Sequence, residues 1–349
     1  MVVHGAAVGD GEQPGPQIVG PAHARVSGER LRPCLLRHVI PTVRSGQGMR
    51  EPRDLAPVRV DEFLERGQPH DLDNARASRG VSEQCEDGAV SLPRVIAHRG
   101  ASAHEAENSL RAYELALEHG ADGIETDLRL SADRHLICTH DRRLDRTTSA
   151  RGSVSAMTLA ELGAVEWGVG PGLAEHIRES GPQEVLTLDG LLDAIRDDER
   201  DAPLLTLLET KHPNRFRGQV EAVLAARLHE RGLTHGPAHG LEVVVMSFLH
   251  TALGRIRRLA PQVPLVYLIE LGMPSVSFDG SLPAGVTRVG LDVRYLRTPK
   301  VVRAFQRRGH QVYVWTVDEP DDVQRCLDLG VDVIISNRPL AVRAQVHGH

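Results

Sequence analysis

The residues between Arg94 and Gly152 bring together His98, Arg99, Glu125, Asp127 and His140. Histidines can move protons, spaced carboxylates can hold a divalent cation, and an arginine can hold an anion. Together these residue types describe a site for metal-assisted cleavage of a phosphodiester. Glu125 and Asp127 lie two apart in a strand-like run, so both side chains point to one face. Carboxylates held side by side repel unless a cation lies between them, and a hard divalent ion with oxygen ligands is the simplest neutraliser. Taken alone, the pair also fits a solvated strand edge with alternating polar residues.

Glu209 and Lys211 repeat that spacing after the apolar run Leu204 to Leu208. Glu209 could complete a three-carboxylate cation site and Lys211 could reach a phosphate oxygen, although a Glu and a Lys ending a strand also read as a surface ion pair. His98 and Arg99 end the first apolar run, before Gly100. Beside a divalent ion the His98 imidazole would be biased to its neutral, basic form, and Arg99 offers a planar fork for phosphate. By itself a His before Arg-Gly is equally a structural residue at a strand end. If the chain turns between Ala132 and Asp133, cross-strand pairing sets His140 opposite Glu125. A neighbouring carboxylate raises a histidine's pKa, which suits a general acid. His104, His119, His135, His212 and His250 lack such a setting and read as surface or loop residues.

The elements that must position these groups follow from periodicity. From Arg94 onward, short apolar runs alternate with amphipathic stretches, the pattern of a parallel sheet covered by helices. Strands are expected at 94–98, 122–128, 203–209, 242–248, 264–269, 287–293, 311–316 and 332–336, and helices at 108–119, 187–197, 215–231, 250–259, 299–308 and 319–329. Asn108 and Thr187 are expected helix N-caps, and Gly120, Gly232, Gly309 and Gly330 stand where helices should stop. A further run, 135–140, follows too closely for a parallel crossover and must turn back as a hairpin around Ser131 to Arg134. Eight strands then remain, in a stretch of typical (β/α)8 barrel length. A doubly wound sheet is the alternative, weakened because no glycine-rich phosphate loop follows the first strand.

Residues 1–92 are rich in Gly, Pro and Arg without sustained periodicity, and read as a low-complexity or disordered leader, with a small accessory domain as the alternative. The 349-residue chain carries a net charge of −6 and 3% aromatic residues, which offers no basic face for nucleic acid. Its four cysteines, Cys34, Cys85, Cys138 and Cys326, show no metal-ligand spacing, and no signal-like or membrane-spanning apolar run occurs. A cytoplasmic protein without stable membrane insertion is expected, and the oligomeric state is left open.

The segment from Arg94 to Leu162 resembles the glycerophosphodiester phosphodiesterase family. That family's sequences carry His-Arg-Gly, Pro-Glu-Asn, Glu-x-Asp, and His-Asp followed by Leu-x-Arg-Thr-Thr. This chain has His98-Arg99-Gly100, Ala106-Glu107-Asn108, Glu125-Thr126-Asp127, His140-Asp141 and Leu144-Asp145-Arg146-Thr147-Thr148. The likeness continues through Glu209-Thr210-Lys211, Ser247-Phe248, Trp315-Thr316 and Ile334 to Pro339, covering about 94–342. Ala106 replaces the usual proline, which would loosen the loop bearing Glu107; Thr210 stands where an aliphatic residue is common; Ser336-Asn337 stands where Thr-Asp is frequent.

The resemblance implies a (β/α)8 TIM barrel with a small insertion after the second strand, about 130–186. It implies hydrolysis of small glycerophosphodiesters to sn-glycerol 3-phosphate and an alcohol with one divalent cation, Mg2+ or Ca2+. Matched by motif, Glu125, Asp127 and Glu209 are the metal ligands, His98 the base, His140 the acid, and Arg99 and Lys211 the phosphate clamps. Glu107 and Asn108 become supporting polar contacts, while Phe248 and Trp315 form a substrate wall or simply barrel packing. The attacking group is a water or the glycerol 2-hydroxyl. Two other readings use the same barrel: a lysophospholipase D or phospholipase C-like enzyme acting on lipids, which would want an exposed apolar rim, and a non-catalytic phosphate-binding barrel.

Overall fold

The computed structural model describes residues 92–273 and 278–348. The expectation of a leader over 1–92 therefore falls, but for Leu92, outside the described residues. Nine strands form one sheet: β1 (Arg94–His98), β2 (Gly123–Leu130), β3 (Leu136–Cys138), β4 (Leu204–Thr210), β5 (Leu241–Ser247), β6 (Leu265–Ile269), β7 (Arg288–Asp292), β8 (Gln311–Trp315) and β9 (Val333–Ser336). Eight of them run parallel in the order β1-β2-β4-β5-β6-β7-β8-β9, and β9 returns to pair with β1. The ring is a (β/α)8 barrel, and β3 hangs antiparallel on β2 as the expected hairpin arm.

The barrel closes because its strands are apolar on the face toward the helices and most are apolar on the inner face as well. On β4, Leu204 and Leu208 pack outward beneath the helices, while Leu205 and Leu207 fill the interior with Ile96, Val244, Met246, Val266, Leu268, Tyr313 and Ile335. The inward row of β2 is Gly123, Glu125 and Asp127, set by the period of two. Only a glycine fits at its lower end: a Cβ on Gly123 would lie 2.1 Å from the Leu205 carbonyl oxygen and 2.6 Å from Ile96 Cδ1.

Helices α1 (Leu110–Glu118), α4 (Leu188–Ile195), α5 (Gln219–Glu230), α6 (His250–Leu259), α7 (Pro299–Arg307), α8 (Pro320–Leu329) and α9 (Pro339–His347) lie along the barrel, and the short α2 (Leu159–Gly163) and α3 (Glu175–Glu179) belong to the insertion. Ser109, not Asn108, caps α1 by accepting from the Ala112 amide, which frees Asn108 for another role. Thr187 caps α4 as expected, and Gly330 ends α8 in the left-handed conformation. The helix over 339–347 and the short insertion helices were not anticipated. The insertion packs around its own cluster of Ile137, Leu144, Val154, Leu162 and Trp167.

The hairpin register differs by one residue from the expectation. Leu128 faces Cys138 and Leu130 faces Leu136, which would set residue 140 level with Thr126 and not Glu125. The cause is a three-residue turn: Ser131 N–H donates to the His135 carbonyl at 3.0 Å, enclosing residues 132–134, and Arg134 takes the left-handed conformation at φ 71°.

Replacing Gly123 with Ala should lower stability by about 1–3 kcal/mol through overpacking. Urea unfolding monitored by circular dichroism would read this, and an unchanged midpoint would contradict the close packing of β2 on β4.

Candidate active site

Strand register assembles the inward polar row at the carboxyl end of the barrel. His98 on β1 is level with Glu125 on β2, and Asp127 is level with Glu209 on β4. Glu125, Asp127 and Glu209 each bring a carboxylate oxygen within 4.8 Å of the others, all buried. Lys211 Nζ lies 2.9 Å from Asp127 Oδ1 and 2.8 Å from Glu209 Oε1, ion-pair distances without hydrogen-bond angles at those two oxygens. Arg99 Nε lies 2.9 Å from Asp127 Oδ2 and Nη1 lies 3.1 Å from Glu107 Oε1. Both cations are thus turned onto the carboxylates at the wall of a cavity of about 310 Å³ lined also by His98, His140, Phe248, Glu270 and Trp315.

The electrostatics show what this cluster lacks. Burial and the neighbouring Asp127 push the Glu125 carboxyl well above its ordinary range, and burial with Asp127 raises Glu209 to about 6 against the pull of Lys211. Asp127 is buried too, yet Arg99 and Lys211 hold it well below the carboxylate range. Two protein cations therefore leave three carboxylates short of neutralisation. An oxygen-only donor set with two carboxylate oxygens lacking hydrogen bonds fits a hard divalent ion such as Mg2+ or Ca2+.

The loops that deliver these groups are locally forced. Arg99 and Asn108 both adopt the left-handed conformation at φ 57°. The Arg99 amide donates to the Glu125 carbonyl and to Oε2, each at 3.1 Å, and the Asn108 amide donates to the Arg99 carbonyl at 3.0 Å. The Asn108 side chain donates to Asp127 Oδ2 at 3.0 Å and accepts from Tyr113 Oη at 2.9 Å and Thr126 Oγ1 at 3.0 Å, so its partners fix its amide orientation. Sequence reasoning gave no role to Tyr113, which carries no signal beyond its nearness to Asn108, or to Thr126, which stood inside the Glu125-Thr126-Asp127 motif.

The two histidines differ at Nδ1. His98 Nδ1 lies 2.8 Å from Asn337 Oδ1, while Asn337 Nδ2 donates to Asp318 Oδ2 at 2.6 Å. The oxygen therefore faces His98, Nδ1–H donates to it, and the bare Nε2 faces the cavity side, 3.9 Å from Glu125. Burial and Arg99 lower the His98 pKa to about 4, so its neutrality comes from the protein itself. His140 Nδ1 lies 2.7 Å from Asp141 Oδ1, and the carboxylate whose charge acts on His140 is Asp127, not Glu125. Its pKa lies below the ordinary histidine value because burial, Arg99 and Lys211 outweigh Asp127 and Asp141, against the expected rise.

Asp141 Oδ2 also takes Arg146 Nε at 2.5 Å, and Arg146 forks onto Glu107 at 2.7 and 2.8 Å. A chain of charges thus runs from His140 through Asp141, Arg146, Glu107 and Arg99 to Asp127. Asp141, Arg146, Asn337 and Asp318 had no role in the sequence reading, although the first three stood inside quoted motifs. Glu107 lies outside the main cavity, and these ion pairs, in place of a proline at 106, hold its loop. Phe248 and Trp315 meet edge-to-face with centroids 5.4 Å apart and form one wall. His212, expected as a bystander, lies with Nε2 2.6 Å from the fully buried Glu221 and anchors the loop after Lys211.

Residues 98–341 match the glycerophosphoryl diester phosphodiesterase family model. The chain belongs to that family. A Mycobacterium tuberculosis protein named probable glycerophosphodiester phosphodiesterase 1 is 42% identical over 254 residues, covering 72% of this chain and 92% of the relative. Glycerophosphodiester phosphodiesterase of Bacillus subtilis is 31% identical, covering 74% and 89%. A crystal structure of a Silicibacter pomeroyi protein assigned to the same enzyme class has a TM-score of 0.65 at 26% identity, covering 74% of this chain and 94% of that one. This family member is a phosphodiester hydrolase on a TIM barrel, and no helix among the described residues is long and apolar enough to cross a membrane.

Because Glu125 and Glu209 hold protons more tightly than free carboxylates, cation binding must displace them. Affinity for Mg2+ or Ca2+ should weaken as pH falls through about 6, by roughly tenfold per pH unit for each proton displaced. Titration calorimetry at pH 5, 6 and 7.5 would show it, and a pH-independent affinity would remove Glu209 from the cation site.

Proposed function

We propose that this enzyme hydrolyses glycerophosphodiesters to sn-glycerol 3-phosphate and an alcohol. Glu125, Asp127 and Glu209 would hold one divalent cation, Mg2+ or Ca2+, which would supply charge neutralisation for the phosphate. Arg99 and Lys211 line the cavity wall, where they would grip the same phosphate. His98 takes the proton from the attacking hydroxyl at Nε2 as the new P–O bond forms. His140 gives its Nε2 proton to the departing oxygen as the old P–O bond breaks. The attacking hydroxyl belongs to water, or to the glycerol 2-position; in the second case a cyclic phosphate forms as the alcohol leaves, and a water then opens it to sn-glycerol 3-phosphate.

One observation carries the division of labour between the histidines. A neutral amide oxygen receives Nδ1–H of His98, which favours the free base, whereas a carboxylate receives Nδ1–H of His140, which favours the imidazolium needed for an acid. Both rings line the same cavity beside the carboxylates. Phe248 and Trp315 provide apolar surface for the glycerol or the alcohol. Glu107 and Asn108 act by orienting Arg99 and Asp127. Free, buried Cys138 and Cys326 suit a reducing, cytoplasmic setting.

Incubation with glycerophosphocholine and Mg2+ or Ca2+ should release sn-glycerol 3-phosphate and choline, and EDTA should stop it. Release from lysophosphatidylcholine but not from glycerophosphocholine would favour a lipid phosphodiesterase, and no release with either cation would sink the hydrolase reading. His98→Ala and His140→Ala should each lower kcat by about two to four powers of ten. Near-normal turnover in either variant removes that residue from the reaction. Asp141→Asn should move the alkaline limb of the kcat profile to lower pH, since His140 loses the carboxylate that favours its protonated form; an unmoved limb would separate Asp141 from the acid.

A further inference from the structure

We infer that Arg129, Arg142 and Arg215 form a second anion subsite on the leaving-group side of the cavity, fitted to glycerophosphodiesters whose alcohol carries a further phosphate. The inference rests on the hydrolase reading above. Arg129, Arg142, Ser155, Arg215 and Phe216 line a separate depression at the carboxyl end of the barrel, where β2 and the loop after β4 meet the insertion. Arg129 follows Asp127 by two residues on β2 and so lies on the same strand face. Two residues of strand advance by about 7 Å, the scale of one small leaving group.

The side of the cavity is fixed by a hydrogen bond. Arg129 Nε donates to the carbonyl of His140 at 2.8 Å, so the guanidinium adjoins the group assigned to protonate the leaving alcohol. The apolar wall of Phe248 and Trp315 comes instead from the ends of β5 and β8.

Charge balance makes this patch unlike the other arginines of the site. Arg99, Arg143 and Arg146 each pair with a carboxylate. Among the described residues, Arg129, Arg134, Arg142 and Arg215 form no ion pair with any carboxylate. Arg134 and Arg215 share Phe216, with Cζ atoms 3.6 and 5.2 Å from the ring centroid. Burial and Arg215 depress the pKa of Arg134. Stacking on Phe216 uses the face of the Arg215 guanidinium and its Nη1 donates to the Ser155 carbonyl at 3.1 Å, which leaves its other N–H groups to an anion. Three arginines lining one depression, with no carboxylate among its walls, match the oxygens of a phosphate.

A matched substrate pair tests this: glycerophosphoinositol and glycerophosphoinositol 4-phosphate, assayed by sn-glycerol 3-phosphate release with the full chain and Mg2+ or Ca2+. The wild type should favour the phosphorylated substrate in kcat/KM by roughly ten- to a hundredfold. Arg142→Ala combined with Arg215→Ala should abolish that preference while turnover of glycerophosphoinositol stays within about twofold. Equal kcat/KM for the pair in the wild type, or a preference that survives the double variant, would overturn the subsite. A binding arm separates this from failure of the hydrolase reading. Inositol 1,4-bisphosphate should bind the wild type more tightly than inositol 1-phosphate, and the double variant should bind both alike, even if no substrate is turned over. Arginine-dependent binding to phosphatidylglycerol vesicles, without discrimination between the soluble ligands, would assign the patch to a membrane surface and overturn the proposal.

Discussion

Three carboxylates buried within 4.8 Å of one another are the constraint to which the rest of the site answers. Burying an uncompensated charge costs several kcal/mol, so such a cluster persists only where the scaffold over-determines it. The scaffold does so by register. Gly123 brings β2 close to β4, Leu205 and Leu207 commit β4 to its inward face, and a one-residue slip of β2 would turn Glu125 and Asp127 away from the cavity together. Among the described residues Arg99 and Lys211 supply the main cationic compensation of the cluster, and it leaves Glu125 and Glu209 inclined to keep their protons.

Keeping Arg99 on the cluster has its own cost. A left-handed conformation costs a non-glycine residue about 1–2 kcal/mol, and Arg99 and Asn108 both adopt it. The cost is offset by the hydrogen bonds that this conformation permits, from the Arg99 amide to Glu125 and from Asn108 to Arg99. The insertion contributes from the other side. Its apolar cluster holds Leu144 in place, and two residues on, Arg146 joins Glu107 to Asp141. Insertion and barrel loops are therefore joined by charge pairs that begin at His140 and end at Asp127, so removing any member unbalances its neighbours.

The fold was legible in the sequence because its signals are local and periodic: short apolar runs, helix-ending glycines, and a spacing between 123 and 140 too tight for a crossover. The grouping of Glu125, Asp127 and Glu209 was legible for the same reason, since pairs two apart at strand ends share a face. What escaped was decided by single residues in loops. The left-handed Arg134 lengthened the turn by one residue and took His140 out of line with Glu125. Ser109 took the capping role expected of Asn108 because Asn108 was already committed to Asp127. Asn337 is 239 positions from His98, and no periodicity reports a contact of that kind.

That distant contact explains how two histidines in one cavity come to differ. Each ring could in principle carry either proton assignment, and nearby Arg99 and Lys211 disfavour a second proton on both. Asn337 gives His98 an acceptor without charge, and Asp318 keeps that acceptor facing the ring by occupying the amide donor and the Asn337 backbone N–H, the latter at 2.8 Å. The carboxylate on this side is thus held one residue behind the histidine. On the other side Asp141 touches its histidine directly, and Arg146 keeps that carboxylate ionised. On the proposed division of labour, the base would be tuned by withholding a charge and the acid by supplying one, which would let two identical side chains divide proton uptake from proton delivery across a single phosphate.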